Sequence, residues 1–171
     1  LILGLDENFP PMGFRDDKGN IVGFDIDLAK EVCKRMGVTL KTQPIDWDAK
    51  EMELSSGNID CIWNGLSITD ERLQAMTFSK PYLANRQVVI VPKNSAIKNL
   101  ADLKGKEIGL QKSSSALDAL NNKDYTDIKN SIKKVTEYTE NLSAFLDLKA
   151  GRIDAFLVDE VAGRYIIETN K

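Results

Sequence analysis

The sequence contains no histidine. That absence removes the commonest general base, the commonest metal ligand and every Ser-His-Asp or Cys-His nucleophile. Cysteine is scarce as well: Cys33 and Cys61 lie too far apart for a CxxC motif and, without histidine, are too few for a zinc site. Cys33 falls on the apolar face of a helical pattern and Cys61 inside a strand pattern, so both are expected to be buried, as packed free thiols or as a disulfide. Positive charge is not in excess, with 23 basic against 26 acidic residues and a net charge of -3, which leaves no footprint for nucleic acid or an anionic membrane. Long apolar runs are missing too. The longest β-type run is Val88 to Val91, far short of the ~20 residues of a membrane span, and the chain opens directly on Leu1-Ile2-Leu3-Gly4-Leu5, so any export signal is expected to have been removed. With 5 prolines and no biased tract, disordered and fibrous classes are excluded. What is present, 42% hydrophobic and 29% charged residues over a length of 171, describes an ordinary folded chain whose partner is small.

Strand and helix signals alternate along it, as in parallel βαβ units. Leu1 to Asp6 reads as a strand, and Asp16-Asp17-Lys18-Gly19-Asn20 as a hairpin-like turn after a Pro-Pro loop. Asp25 is expected to cap a helix whose apolar residues recur at 28, 29, 32, 33 and 36 and which stops at Gly37. Strands are predicted at Val38 to Thr42 and Ile59 to Trp63, with a helix over Asp48 to Ser56 between them and a turn or helix beginning at Thr69. The β-branched run at 87–93 is taken as a crossover between a first lobe, 1–86, and a second, 94–171. The second lobe repeats the alternation: strands at Lys106 to Gln111, near Val135 and at Ile153 to Val158, and helices opening at Ser113-Ser114-Ser115, over Glu140 to Ala150 and at the end. Leu54 to Trp63 is echoed 94 positions later by Leu148 to Leu157, each time a helix ending at glycine and feeding a strand. This is either a repeat or a common local solution reached twice. As a repeat it makes Asn64-Gly65 and Val158-Asp159 corresponding positions at carboxyl strand ends, where open α/β sheets bind ligands.

Beyond the first of these ends, Asn64 to Arg72 collects backbone amides, the hydroxyls of Ser67 and Thr69, and a guanidinium, a set suited to a carboxylate. Thr69-Asp70-Glu71-Arg72 is equally an ordinary helix start with a solvated arginine. Asp159 offers a carboxylate for the other charge of a zwitterion, or simply caps the last helix. Phe9 and Trp47 follow strands in loops, as walls of a ligand slot or as aromatics folded onto the core. The three serines from 113 to 115 offer free amides or serve only as caps.

These residues bring a family into view. The runs Gly23-Phe24-Asp25-Ile26-Asp27-Leu28-Ala29, Gly57-Asn58-Ile59-Asp60 through Asn64-Gly65-Leu66-Ser67-Ile68-Thr69-Asp70-Glu71-Arg72, Phe78-Ser79-Lys80-Pro81-Tyr82 and Leu100-Ala101-Asp102-Leu103-Lys104-Gly105-Lys106 resemble, in order and spacing, the polar amino-acid-binding family of solute-binding proteins. The resemblance covers essentially the whole chain. It implies an α/β, two-lobed, type II periplasmic-binding-protein-like fold, each lobe a mainly parallel sheet flanked by helices, that binds an amino acid outside the cytoplasm and delivers it to the membrane permease of an ABC transporter. It implies no catalysis, no cofactor and no metal. By motif, Arg72 holds the ligand α-carboxylate with the amides of Ser67 and Ser115. Asp159, the Gly65 carbonyl and the Ser67 hydroxyl hold the α-ammonium, and Phe9 and Trp47 sandwich the side chain. Asn64 joins this set, Asp6 reaches the distal end, and Gln111 is a side-chain contact. The ligands expected are Arg, Lys, His, Gln or cystine, and the place is the periplasm or, as a lipoprotein, the outer face of the cytoplasmic membrane. A sensor or gating domain of a receptor, or a dehydratase or lyase, are the alternatives on the same fold. Relative to that family the chain lacks a C-terminal return segment into the first lobe, which leads to an expectation of self-association.

Overall fold

The computed structural model describes residues 1–170, and the chain divides into two units, Leu1–Ala84 and Asn85–Lys171. In the first, β1 (Ile2–Leu5) lies between β5 (Lys41–Pro44) and β6 (Cys61–Ile62), parallel to both. Leu3 and Leu5 are fully buried with Ile26 and Ala29, each leucine and the isoleucine contributing about 1.5–3 kcal/mol on leaving water. A small antiparallel sheet of β2 (Asn8–Phe9), β3 (Gly13–Arg15) and β4 (Ile21–Val22) is inserted after β1. Helix α1 (Phe24–Met36) follows, and α2 (Lys50–Ser55) and α3 (Asp70–Ala75) complete the unit.

Several elements differ from expectation for physical reasons. The N-cap of α1 is Gly23, not Asp25. Asp25 sits in the first turn with no solvent exposure, and the buried stripe runs through 25, 26, 29 and 33, leaving Met36 in solvent. Gly37 does stop the helix in the left-handed region, with the Val38 N–H donating back to Cys33, so strand β5 starts only at Lys41, whose N–H donates to Leu1. Both cysteines are free, and only Cys33 is buried; Cys61 is half-buried on β6. The segment 87–93, expected as a crossover, contributes β7 (Gln87–Ile90) to the sheet of the second unit, which begins two residues earlier than the boundary read from sequence.

That sheet has the order β7-β10-β8-β9, with β8 (Glu107–Gln111), β9 (Lys134–Tyr138) and β10 (Ala155–Asp159) parallel and β7 antiparallel to β10. Helices α4 (Ser115–Asn121), α5 (Thr126–Ser131), α6 (Asn141–Lys149) and α7 (Glu160–Thr169) accompany it. Among the described residues no helix is long and apolar enough to cross a membrane.

The sequence echo has a structural counterpart in each unit. Helices α2 and α6 end before Gly57 and Gly151, which take φ of 72° and 71°. Three residues on, Asp60 donates its N–H to Ile2 O (2.8 Å) and accepts the Ile2 N–H on Oδ2 (2.6 Å). Asp154 does the same to Glu107, at 2.7 and 2.8 Å. Each aspartate thereby clamps the start of the neighbouring strand. The isoleucine before it covers a glycine in that strand. A Cβ on Gly4 would lie 2.4 Å from Ile59 Cδ1, and one on Gly109 would lie 2.7 Å from Ile153 Cδ1.

This contact is directly testable. Gly4→Ala should destabilise the first unit by about 1–3 kcal/mol through overpacking. Ile59→Val, which deletes the clashing Cδ1, should recover part of that loss. Urea denaturation of the two single variants and the double variant checks it, and strictly additive effects would contradict the contact.

Candidate functional site

In the first unit Asp6, Phe9, Asn64 and Gly65 lie beyond the carboxyl ends of β1 and β6, whereas Trp47 follows β5 and Arg72 lies on α3. Asp6 is buried there, its N–H donating to Asn64 Oδ1 (3.0 Å) and its Oδ1 accepting from Asn8 N (2.9 Å). Asn64 is buried behind it. Gly65 has φ +60°, and a side chain added to it would meet Met12 and, at 3.4 Å, Phe9 Cε1. Phe9 is therefore beside the loop at Gly65. It is not a loop aromatic, however, because residues 8 and 9 pair with β3 and the ring is buried. Trp47 opens a 3-10 turn (Trp47–Ala49) instead of standing in a free loop, with Lys50 Nζ 5.1 Å from its ring centroid.

Of the two sequence readings of the Thr69 segment, the helix start is seen directly, but without a solvated arginine. Thr69 is a true cap, its Oγ1 accepting the Arg72 N–H at 3.3 Å. Yet Arg72 is only 5% exposed, not solvated, and Nη1 donates to the Ser67 carbonyl at 3.0 Å. A guanidinium withdrawn from water and bonded to the backbone of its own loop is held in one orientation, as recognition of a planar carboxylate requires.

The loop itself hangs on residues that sequence reading did not single out. Asp25 accepts the Gly65 N–H on Oδ2 (2.6 Å) and the Tyr82 hydroxyl on Oδ1 (2.8 Å). Burial pushes the Asp25 carboxyl above the usual carboxylate range, opposed by these hydrogen bonds, while burial and the Asp25 charge push Tyr82 upward. A signal existed: Asp25, Ala29 and Cys33 are spaced four apart, which puts a carboxylate on the core face of α1.

In the second unit Asp159 stands at the end of β10 and occupies the N-cap position of α7 without a side-chain capping bond. It is 9% exposed, and its Oδ1 accepts from Asn85 Nδ2 and from Gln87 Nε2, the latter at 2.7 Å. Gln87 Nε2 also donates to Ser115 Oγ (3.0 Å), so Ser115 and Asp159 are joined through one side chain. Ser114, with Oγ accepting from Leu117 N, is the cap of α4. Arg86 and Arg164 pair with Glu160 and hold its carboxyl down at about 2, tying the start of β7 to the start of α7. Gln111 belongs to a different group. It is buried, its Nε2 donates to Thr139 O, and its Oε1 accepts from Asn141 Nδ2, both at 2.9 Å.

The chain as a whole is similar to known proteins. Residues 1–141 match the family described as bacterial extracellular solute-binding proteins, family 3. The L-cystine-binding protein TcyJ of Escherichia coli K12 is 32% identical over 98% of this chain and 62% of its own length. The lysine/arginine/ornithine-binding periplasmic protein of the same organism is 39% identical over 94% of this chain and 60% of its own. The chain thus spans about three fifths of the length of these curated relatives. Among solved structures, a substrate-binding protein of an ABC uptake transporter from Streptococcus pneumoniae with bound histidine has a TM-score of 0.95 and 42% identity, over 99% of this chain and 70% of that one.

The Asp25 network predicts a pH dependence. A carboxyl raised in the folded state keeps its proton after the unfolded chain has lost it, so this group's contribution to stability falls as pH rises above its unfolded value of about 3.9. Tyr82→Phe removes a donor that favours the charged form. The variant should therefore be destabilised by about 1–3 kcal/mol at neutral pH and by less near about pH 4. Chemical denaturation at both pH values checks this, and a loss independent of pH would contradict it.

Proposed function

We propose, from the premise that the chain belongs to the bacterial extracellular solute-binding proteins of family 3, that it binds one free amino acid outside the cytoplasm for delivery to the membrane permease of an ABC importer. One observation supports this reading most. Each unit carries, on the carboxyl-end side of a parallel strand, an ionisable side chain almost withdrawn from water, Arg72 beyond β6 in the first and Asp159 as the last residue of β10 in the second, and the two are of opposite type, a base and an acid. A zwitterion has one charge for each.

In this reading Arg72 takes the α-carboxylate with the amides of Ser67 and Ser115, and Asp159 takes the α-ammonium with the Gly65 carbonyl and the Ser67 hydroxyl. Phe9 and Trp47 flank the ligand side chain, and Asp6, steadied by Asn64, accepts from its distal end; Gln111 acts beside them through Asn141 and Thr139. A carboxylate acceptor and aromatic faces favour a long, donor-bearing side chain over a branched aliphatic or acidic one. The printed names of the relatives, for cystine, histidine and the basic amino acids, support the same class. Those relatives include periplasmic proteins, which supports a periplasmic place or, with a lipid anchor, the outer face of the membrane.

Calorimetric titration with arginine, lysine, histidine, glutamine and cystine, against leucine and glutamate as contrasts, tests the reading. Arg72→Ala should cost about 2–5 kcal/mol of binding, and Arg72→Lys much of it, because the planar fork is lost. Asp159→Asn should weaken binding and abolish the preference for a ligand with its α-amino group over the des-amino analogue. Near-normal affinity in a folded Arg72→Ala variant would refute the assignment.

A further inference from the structure

We propose that Gln87 is a specificity-determining positioning residue: it fixes the acceptor of the ligand's α-ammonium relative to the Ser115 amide, and so selects ligands whose two charges are spaced as in an α-amino acid. The proposal rests on the amino-acid reading above. Strand register places the residue. β7 runs antiparallel to β10 with Gln87 directly opposite Asp159, and side chains opposite each other in such a pair stand on one face and interact. Asn85, two residues earlier, also donates to Asp159 Oδ1. Gln87 does more, because its amide nitrogen carries two protons. Nε2 donates to Asp159 Oδ1 at 2.7 Å and to Ser115 Oγ at 3.0 Å. Ser115 is the first residue of α4, so one planar amide ties the end of β10 to the start of that helix.

Folding alone does not account for this side chain. Gln87 Oε1 is shielded from solvent and has no hydrogen-bond partner among the described residues, a cost that an apolar residue in the same strand would not carry. The strand continues with just such residues, Val88-Val89-Ile90. An amide retained there at a cost, and bonded to the two residues with ligand roles in the second unit, serves the site. Its effect follows from the ligand's shape. A β-amino acid inserts one methylene between the carbons that bear the ammonium and the carboxylate, and moves the two charges apart. Partners already held at one spacing meet both groups of the α-form, whereas the β-form gains full contact at only one of them.

Calorimetry on the whole chain, with each amino acid of the panel above paired with its β-homologue, reads the ratio of the two dissociation constants. The wild type should favour the α-form by about tenfold or more. Gln87→Met keeps the length of the side chain and removes both donors; it should reduce that ratio about threefold to tenfold, and should change nothing further in the Asp159→Ala background. A residue that only braces the fold lowers affinity for both members of a pair alike. No α-preference in the wild type, an unchanged ratio in Gln87→Met, or an equal drop with and without Asp159 would overturn the proposal. If Gln87→Met does not fold, Ser115→Ala keeps the backbone amide and removes the second acceptor, and an unchanged ratio there overturns the proposal equally. If the wild type binds no amino acid of the panel, this proposal and the amino-acid reading fall together. Binding that is lost in Arg72→Ala while the ratio stands in Gln87→Met removes only the role of Gln87.

Discussion

A carboxylate with no contact with solvent must be matched by donors, and Asp25 is such a group. It meets the demand by drawing in the Gly65 amide and the Tyr82 hydroxyl, from 40 and 57 residues away. The Gly65 peptide can turn its N–H inward only because φ there is positive, a conformation glycine adopts without strain. From this fixed point the chain runs through Ser67, whose carbonyl orients Arg72, to the cap at Thr69. The orientation of the one buried guanidinium in the Asn64 to Arg72 segment thus rests on a carboxylate in the first turn of α1.

The two units reach different chemistry from one backbone scheme. The aspartate clamps at Asp60 and Asp154 place Ile2 opposite the first and Glu107 opposite the second, so Gly4 corresponds to Gly109 and Asp6 to Gln111. Counting on from the clamps, Gly65 corresponds to Asp159. At each pair the strand end is the same and the side chain differs: a carboxylate against an amide in one case, no side chain against a carboxylate in the other. The clamps need only helix-stop glycines and aspartates, and the residues at the far strand ends are held by separate partners: Asp6 by Asn64, Gly65 by Asp25, Gln111 by Thr139 and Asn141, and Asp159 by Asn85 and Gln87.

Much of this was legible in the sequence because it depends on local patterns. The alternation of elements, the stops at Gly37, Gly57 and Gly151, and the cap at Thr69 are all short-range features. The family motifs carried Arg72 and Asp159 as candidates, and the structure finds both nearly buried. What could not be read were pairings across the chain. Asp25 was mistaken for a cap because carboxylates near helix starts usually are caps, and nothing nearby announced Gly65 or Tyr82. Gln87 was read only as part of a β-branched crossover, although strand alternation puts it on the same face as Val89. Phe9 was assigned to a loop because a two-residue strand has no periodicity to detect.

Under the proposed assignment of Arg72 and Asp159, these long-range pairings also bear on how tightly a small ligand can be held. Binding must offset the lost freedom of the ligand and of every side chain ordered around it, about 0.5–1.5 kcal/mol for each long side chain. Arginine is among the costliest residues to immobilise. Here that cost is met during folding, since Arg72 is already bonded to Ser67 and withdrawn from water, and Asp159 is already held by Asn85 and Gln87. Pre-bonding has a second effect on Asp159. Two neutral amide donors reach its Oδ1, Gln87 Nε2 at 2.7 Å and Asn85 Nδ2, so the carboxylate is held in place without a counter-charge from either residue. In the proposed site an acceptor held in this way meets an ammonium group with little water to displace and little motion to arrest.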